Sequence, residues 1–317
     1  MVLPYIFVFI VSCFLLALSS KWLIGSLSRI ALYLRLKEFV VGFFIMAFAV
    51  SLPNFFVGII SAFNGIPQLS FGDVIGGNIV DLSLVIGLAA LLSKGGLSAQ
   101  SQTVQGSSIF TIFIGVLPML LVSDQQLSRM DGVLLILSYV LYVSWLFSKR
   151  ERFTKIYDHA PSSINFKNFI RDLVFLVFSV ILLLGGARGI VASASVFANA
   201  LAAPIGLIGL FIVGVGNSLP EGFFSVQAAR KGQDWMILGD LMGGVVITAT
   251  LVLGIVALIS PIMITDFSPF AIARIFLILS AVLFLFCLRS GARVSKREGI
   301  LLLLIYVSFL ITEILTR

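Results

Sequence analysis

Long apolar runs, each ended by a polar or Gly/Pro cluster, fill nearly the whole chain: 3–28, 38–62, 69–93, 105–123, 130–148, 169–195, 200–229, 236–260, 269–288 and 298–316. An α-helix needs about 20 apolar residues to cross a hydrocarbon core, so each run predicts one span. Membrane β-strands need alternating segments of about ten residues. Blocks such as LVFLVFSVILLL (173–184) do not alternate. The predicted fold class is therefore all-α integral membrane, with ten transmembrane helices. The N-terminal run has no Lys or Arg before Lys21 and no small-residue cleavage pattern, so it reads as the first span and not as a removable signal peptide.

Composition strengthens this picture. The 317 residues are 60% hydrophobic and 11% charged, where soluble domains carry about 25% charged residues. Ten spans use up the length and leave no additional soluble domain. Cys13 and Cys287 lie in apolar stretches and the only histidine, His159, in a polar loop, which yields neither a disulfide framework nor a zinc site. No cofactor and no catalytic centre are expected.

The net charge of +7 is loop charge. Sixteen of the 21 basic residues fall in the loops after helices 1, 3, 5, 7 and 9, and three (Arg129, Arg188 and Arg317) on the opposite side. The positive-inside rule then puts both termini outside and the basic 149–168 linker in the cytoplasm. This distribution argues for lipid and against nucleic acid as a partner. The lack of a large regulatory loop fits a compact protein of the cell membrane.

At an offset of 167 residues, 51–93 aligns with 218–260 without a gap, with 16 of 43 positions identical. The chain thus reads as two homologous five-helix units: 1–148 with its repeated segment at 49–93, and 169–317 with its segment at 216–260. Five is odd, so the units enter the membrane from opposite sides. Two inverted five-helix repeats are a construction of secondary transporters.

Ten of the fourteen acidic residues lie in loops or near span ends, but Asp73, Asp81, Glu221 and Asp240 lie inside helices 3, 7 and 8. An ionised carboxylate at mid-membrane costs about 2.5–3.5 kcal/mol on insertion scales, so it must face water, a partner or a cation. No basic residue of the repeated blocks shares their depth, which makes cations the natural partners. Asp81 is about midway along helix 3. Asn54 and Glu221 are roughly 24 Å into helices 2 and 7, at 1.5 Å per residue, so the three can share one central site. Asp73 and Asp240 lie roughly 12 Å from positions 81 and 248, marking the outer and inner mouths, and positions 73, 77 and 81 share one helix face.

Ser-Leu-Pro occurs inside both helix 2 and helix 7. Proline has no N–H for the carbonyl four residues back, here Ala49 and Gly216. Carbonyls freed at that depth are hard oxygen ligands suited to Na⁺ or Ca²⁺, and Ser51, Ser218, Asn217 and Asn54 add neutral oxygens. The G-x-x-x-G spacing in helices 3 and 8 predicts close packing, expected to bring helix 2 against helix 3. Lys21 and Arg188 read as interfacial.

The motifs A-V-S-L-P-N (49–54) with G-D-V-I-G-G-N-I-V-D (72–81), and V-G-N-S-L-P-E (215–221) with G-D-L-M-G-G-V-V-I-T (239–248), resemble those of the calcium/cation antiporter superfamily. That group contains the sodium/calcium and proton/calcium exchangers, and its inverted repeats have a form similar to G-T-S-L-P-E followed by G-N-x-x-G-S-N and a further Asn or Asp. The resemblance implies central cation sites made by helices 2, 3, 7 and 8, with helices 1 and 6 moving across that core. Carried over by position, Glu221 matches the second-repeat glutamate, Asp81 the first-repeat Asn/Asp, and Ser51 and Ser218 the hydroxyls before proline. The departures are Asn54 for a glutamate, Thr248 for an Asn/Asp, Val50 and Asn217 for hydroxyl residues, Gly77 and Gly244 for serines, and Asp73 and Asp240 for asparagines.

The expected function is secondary active antiport of Ca²⁺, or a related cation, against Na⁺ or H⁺. Asp81 and Glu221 would be the charged ligands and Asn54, Ser51, Ser218 and Thr248 the neutral ones, with a monomer sufficient for transport. Two carboxylates and neutral oxygens suit one Ca²⁺. The lost hydroxyls leave the coupling ion open, as the carboxylates can equally carry protons. A monovalent-cation exchanger and a non-transporting scaffold or sensor on the same fold are the alternatives.

Overall fold

The computed structural model describes residues 2–33, 46–100, 102–148, 166–264 and 268–316. Arg35, Lys37, Asp266, Arg317, most of the 149–168 linker with His159, and the first part of the predicted span 38–62 lie outside the described residues.

The helices are α1 (Val2–Tyr33), α2 (Met46–Val50), α3 (Leu52–Phe63), α4 (Gln68–Ile79), α5 (Ile86–Leu92), α6 (Gln102–Leu121), α7 (Arg129–Ser148), α8 (Phe166–Leu201), α9 (Ile205–Ile208), α10 (Gly214–Arg230), α11 (Asp234–Ile247), α12 (Leu253–Ile259), α13 (Ser268–Ser290) and α14 (Lys296–Leu315). Stretches of π-helix at Val80–Val85, Gly209–Val213 and Thr248–Val252 join α4 to α5, α9 to α10 and α11 to α12. Two-residue strands β1 (Leu97–Ser98), β2 (Gln126–Leu127), β3 (Ile262–Met263) and β4 (Arg293–Val294) pair antiparallel as β1 with β4 and β2 with β3. Among the described residues, nine helices are long and apolar enough to cross a membrane. The remaining predicted span is represented from Met46 by α2 and α3, interrupted at Ser51, where Pro53 cannot continue the ladder.

Predicted and observed spans agree closely, with one correction. Helix 6 does not stop near 195 but runs to Leu201, and helix 7 begins at Ile205, not at 200. The Ala-rich stretch after 195 holds no helix breaker until Pro204, and the chain turns at Ala202, whose φ is +48°. A second correction concerns the glycines. A Cβ at Gly72 or Gly76 would collide with the Gly206 or Leu210 carbonyl, so these glycines admit the first half of helix 7 against α4, while helix 2 packs on α4 at Gly58.

Burial separates a core from its surroundings. Within their most apolar 18 residues, the spans Gln68–Leu92 and Met236–Ile259 have 78% and 72% of residues buried, against 17% for Val2–Leu27 in helix 1. Helix 1 packs along α8 at the edge of the bundle, where Arg29 pairs with Asp172 at 2.8 Å.

Several features return at the 167-residue spacing. The π-helical stretches beginning at Val80 and Thr248 carry Asp81 and Thr248, and inside them Ser83 donates to the Ile79 carbonyl and Thr250 to that of Val246. Contacts between halves also return with the partners exchanged. A Cβ at Gly87 would lie 2.8 Å from the Gly299 carbonyl, and one at Gly254 2.9 Å from the Gly132 carbonyl. The β1–β4 and β3–β2 pairs follow the same exchange. Exchange of partners is what a two-fold relation between the halves produces.

Candidate cation-binding site

The two Ser-Leu-Pro segments meet α4 and α11, the buried helices of the two halves: α3 and α10 pack on α4, and α2 and α10 on α11. Ser51, Asn54, Asn217, Ser218 and Thr248 are all buried there. Asp81 and Glu221 are part-buried, and both come from the middle of their spans. Asp81 lies within hydrogen-bonding reach of Ser218, and its charge acts on Glu221 and Asp240. The first-half and second-half carboxylates are thus brought together.

Several oxygens of the site lack a donor. Asn54 Oδ1, Asp81 Oδ1, Asn217 Oδ1, Glu221 Oε2 and both oxygens of Asp240 are buried and accept no hydrogen bond. Buried polar atoms are nearly always satisfied, and several kcal/mol are lost for each bare buried ion. The Arg29–Asp172 salt bridge lies elsewhere, between helix 1 and α8. A set of oxygens with no donor and no basic partner is electrically suited to a cation. No three His, Cys, Asp or Glu side chains converge as a metal centre among the described residues. Any ion here would combine two carboxylates with neutral oxygens, which is hard-cation coordination.

The remaining predicted residues separate by environment. Ala49 and Gly216 are buried, and Pro53 and Pro220 supply no N–H to their carbonyls. Asp73 is fully buried and takes two 3.0 Å hydrogen bonds from the Asn217 amide. Asp240 is 9% exposed and bonded to nothing. Lys21 and Arg188 are exposed, as interfacial residues would be. Arg274 donates to the Met119 carbonyl and to Ser123 at the C-terminal end of α6, where a cation meets the negative end of the helix dipole.

Sequence reasoning missed Asn78. It is 2% exposed, with Oδ1 3.0 Å from Thr248 Oγ1 and Nδ2 without a partner. Thr248 also lies 2.9 Å from the Gly244 carbonyl, to which it can give its single proton. Turning the Asn78 amide over then lets Nδ2 donate to Thr248 and leaves Oδ1 as one more free oxygen. The signal was available: Asn78 is a lone amide in the apolar middle of helix 3, and its counterpart in the repeat is Val245.

The chain is 26% identical to the sodium/calcium exchanger MaX1 of Methanosarcina acetivorans, over 92% of this chain and 93% of that one. It is 28% identical to the putative antiporter CaxA of Alkalimonas amylolytica, over 98% of each, and 25% identical to the inner membrane protein YrbG of Escherichia coli, over 92% and 91%. Its structure is similar to that of the sodium-calcium exchanger NCX_Mj soaked with Na⁺ and Sr²⁺, with a TM-score of 0.65, 25% identity and coverage of 97% and 98% of the two chains. The family model described as sodium/calcium exchanger protein matches residues 4–148 and 172–315, and the chain belongs to that family.

Proposed function

We propose that the protein, a cation antiporter of this family, exchanges Ca²⁺ or a related hard cation against Na⁺ or H⁺ by alternating access. In this reading Asp81 and Glu221 are the charged ligands. Asn54, Ser51, Ser218 and Thr248 add neutral oxygens, Asn217 and the Ala49 and Gly216 carbonyls extend the set, and Asp73 and Asp240 flank it. The observation that carries the proposal is the group of donor-free buried oxygens shared by the two halves. The exchanged contacts at the 167-residue spacing support an inverted repeat with boundaries near 148 and 169, and hence a pathway that can open to either side. The basic loops favour a cell-membrane location with both termini outside, and one chain carries a complete set of ligands.

The test is uptake of labelled Ca²⁺ into proteoliposomes, driven separately by a Na⁺ gradient and by a pH gradient. Uptake with one of the two gradients, abolished by Glu221→Gln, is expected. Uptake unaffected by Glu221→Gln would refute the ligand set. A second reading has its own support in Asn54, whose neutral amide stands where the related motif has a carboxylate: exchange of monovalent cations alone. Gradient-driven Na⁺ or K⁺ flux that Ca²⁺ does not inhibit would select it.

A further inference from the structure

Asp73 and Asp240 occupy matching places in the two repeats, yet their surroundings differ. Asp73 is fully buried, and the Asn217 amide lies 3.0 Å from each of its oxygens. The residue matching Asn217 is Val50. Val50 ends α2, which packs on α11 as α10 packs on α4, but a valine has no donor to offer. Both oxygens of Asp240 are accordingly without a partner, though the residue is nine-tenths buried.

The neighbouring space differs in the same sense. Positions 73, 77 and 81 on α4 run along one face, as do 240, 244 and 248 on α11. On the first face, a Cβ at Gly77 would lie 3.4 Å from Ser218 Oγ, so helix 7 closes over it. On the second, a Cβ at Gly244 would meet nothing within 4 Å among the described residues. Room at Gly244 thus lies between Asp240 and Thr248, and the Asp240 carboxylate is near enough to feel the charges of Asp81 and Glu221.

We propose that Asp240 is an additional cation-binding station on the side from which α11 starts, and that Asp73 is not, because Asn217 holds its oxygens while Val50 leaves those of Asp240 free. The station takes a hard cation, the transported ion itself, and passes it along the Gly244 face to the central oxygens. The inference rests on the exchanger reading and adds a sidedness to it: the two membrane faces differ in apparent affinity, and the Val50/Asn217 pair sets the difference. The basic residues Arg230 and Lys231 just before α11 make that side the cytoplasmic one.

The experiment compares half-saturating Ca²⁺ for transport in inside-out and right-side-out vesicles, for the parent protein, Asp240→Asn and Val50→Asn. Both variants are expected to raise the half-saturating concentration at the cytoplasmic face by about tenfold or more, leaving it unchanged at the outer face. Val50→Asn supplies the missing amide without removing a carboxylate, so it separates occupation of Asp240 from loss of its charge. Equal effects at both faces, or none with Val50→Asn, would overturn the proposal while leaving the central site intact. Absence of cation exchange by the parent protein would overturn the exchanger reading and this inference with it.

Discussion

Replacing Asp81 by Asn removes one of the two central charges while keeping the shape and an oxygen for Ser218. Two unit charges about 4 Å apart interact by about 1 kcal/mol in water and about 4 kcal/mol at the effective dielectric near a protein surface. Asp81 is part-buried, so its term for a monovalent ion falls between these limits. For a divalent ion it doubles, to about 2–8 kcal/mol. At about 1.4 kcal/mol per tenfold, Ca²⁺ affinity should fall by at least about 30-fold. The dielectric cancels from the comparison between ions: the logarithm of the loss should be about twice as large for Ca²⁺ as for Na⁺. Titration calorimetry on purified protein, with each ion in a choline background, measures both losses directly. Equal losses for the two ions, or unchanged Ca²⁺ affinity, would refute a direct charge–ion contact at Asp81.

Gly76→Ala should lower the melting temperature in detergent, because its Cβ collides with the Leu210 backbone and overpacking against immobile atoms costs about 1–3 kcal/mol. Gly239→Ala, whose Cβ meets nothing within 4 Å among the described residues, should lower it less in the same assay. Arg29→Ala strands the buried Asp172 carboxylate. The loss should be about 1.5–3 kcal/mol, the scale of a hydrogen bond to a charged group, and the Arg29→Ala/Asp172→Ala double variant should melt above the Arg29→Ala single variant.

The spans were legible because each apolar run exceeds a membrane thickness, a signal that depends on neither partner nor register. The boundary between helices 6 and 7 was less so: Ala and Val continue the helix past 195 and only Pro204 forces a break. The π-helical stretches were invisible, since one extra residue per turn leaves no mark on hydropathy. Their hydroxyls, Ser83 and Thr250, are matched in the repeat but look like ordinary small polar residues until their bonds to Ile79 and Val246 are seen. The acids at 81 and 221 stood out because charge inside a span is costly. Asn78 did not, because an amide carries no charge and its partner Thr248 comes from the other half. The Asp73–Asn217 pair was half legible. Both positions depart from the related motif, Asp for Asn and Asn for a hydroxyl, and two departures in different repeats hint at a compensating contact. Only the fold brings them to 3.0 Å.

The backbone keeps its two-fold relation more faithfully than the side chains do. Gly87 with Gly299 answers Gly254 with Gly132, and β1 with β4 answers β3 with β2, so the scaffold is nearly the same seen from either half. The polar groups are not: Asp81 answers Thr248, Asn78 answers Val245, Glu221 answers Asn54, and Asn217 answers Val50. These differences do not average out. In the proposed site each half contributes one central charge from a different helix, Asp81 through helix 3 and Glu221 through helix 7. A cation bound between them would lower the repulsion of both charges at once and join the halves across their interface. In the proposed cycle the ion gradients supply the driving force and the matched packing of the two halves lets the pathway open to either side. The few positions at which the repeats differ then set the preference for ion and side.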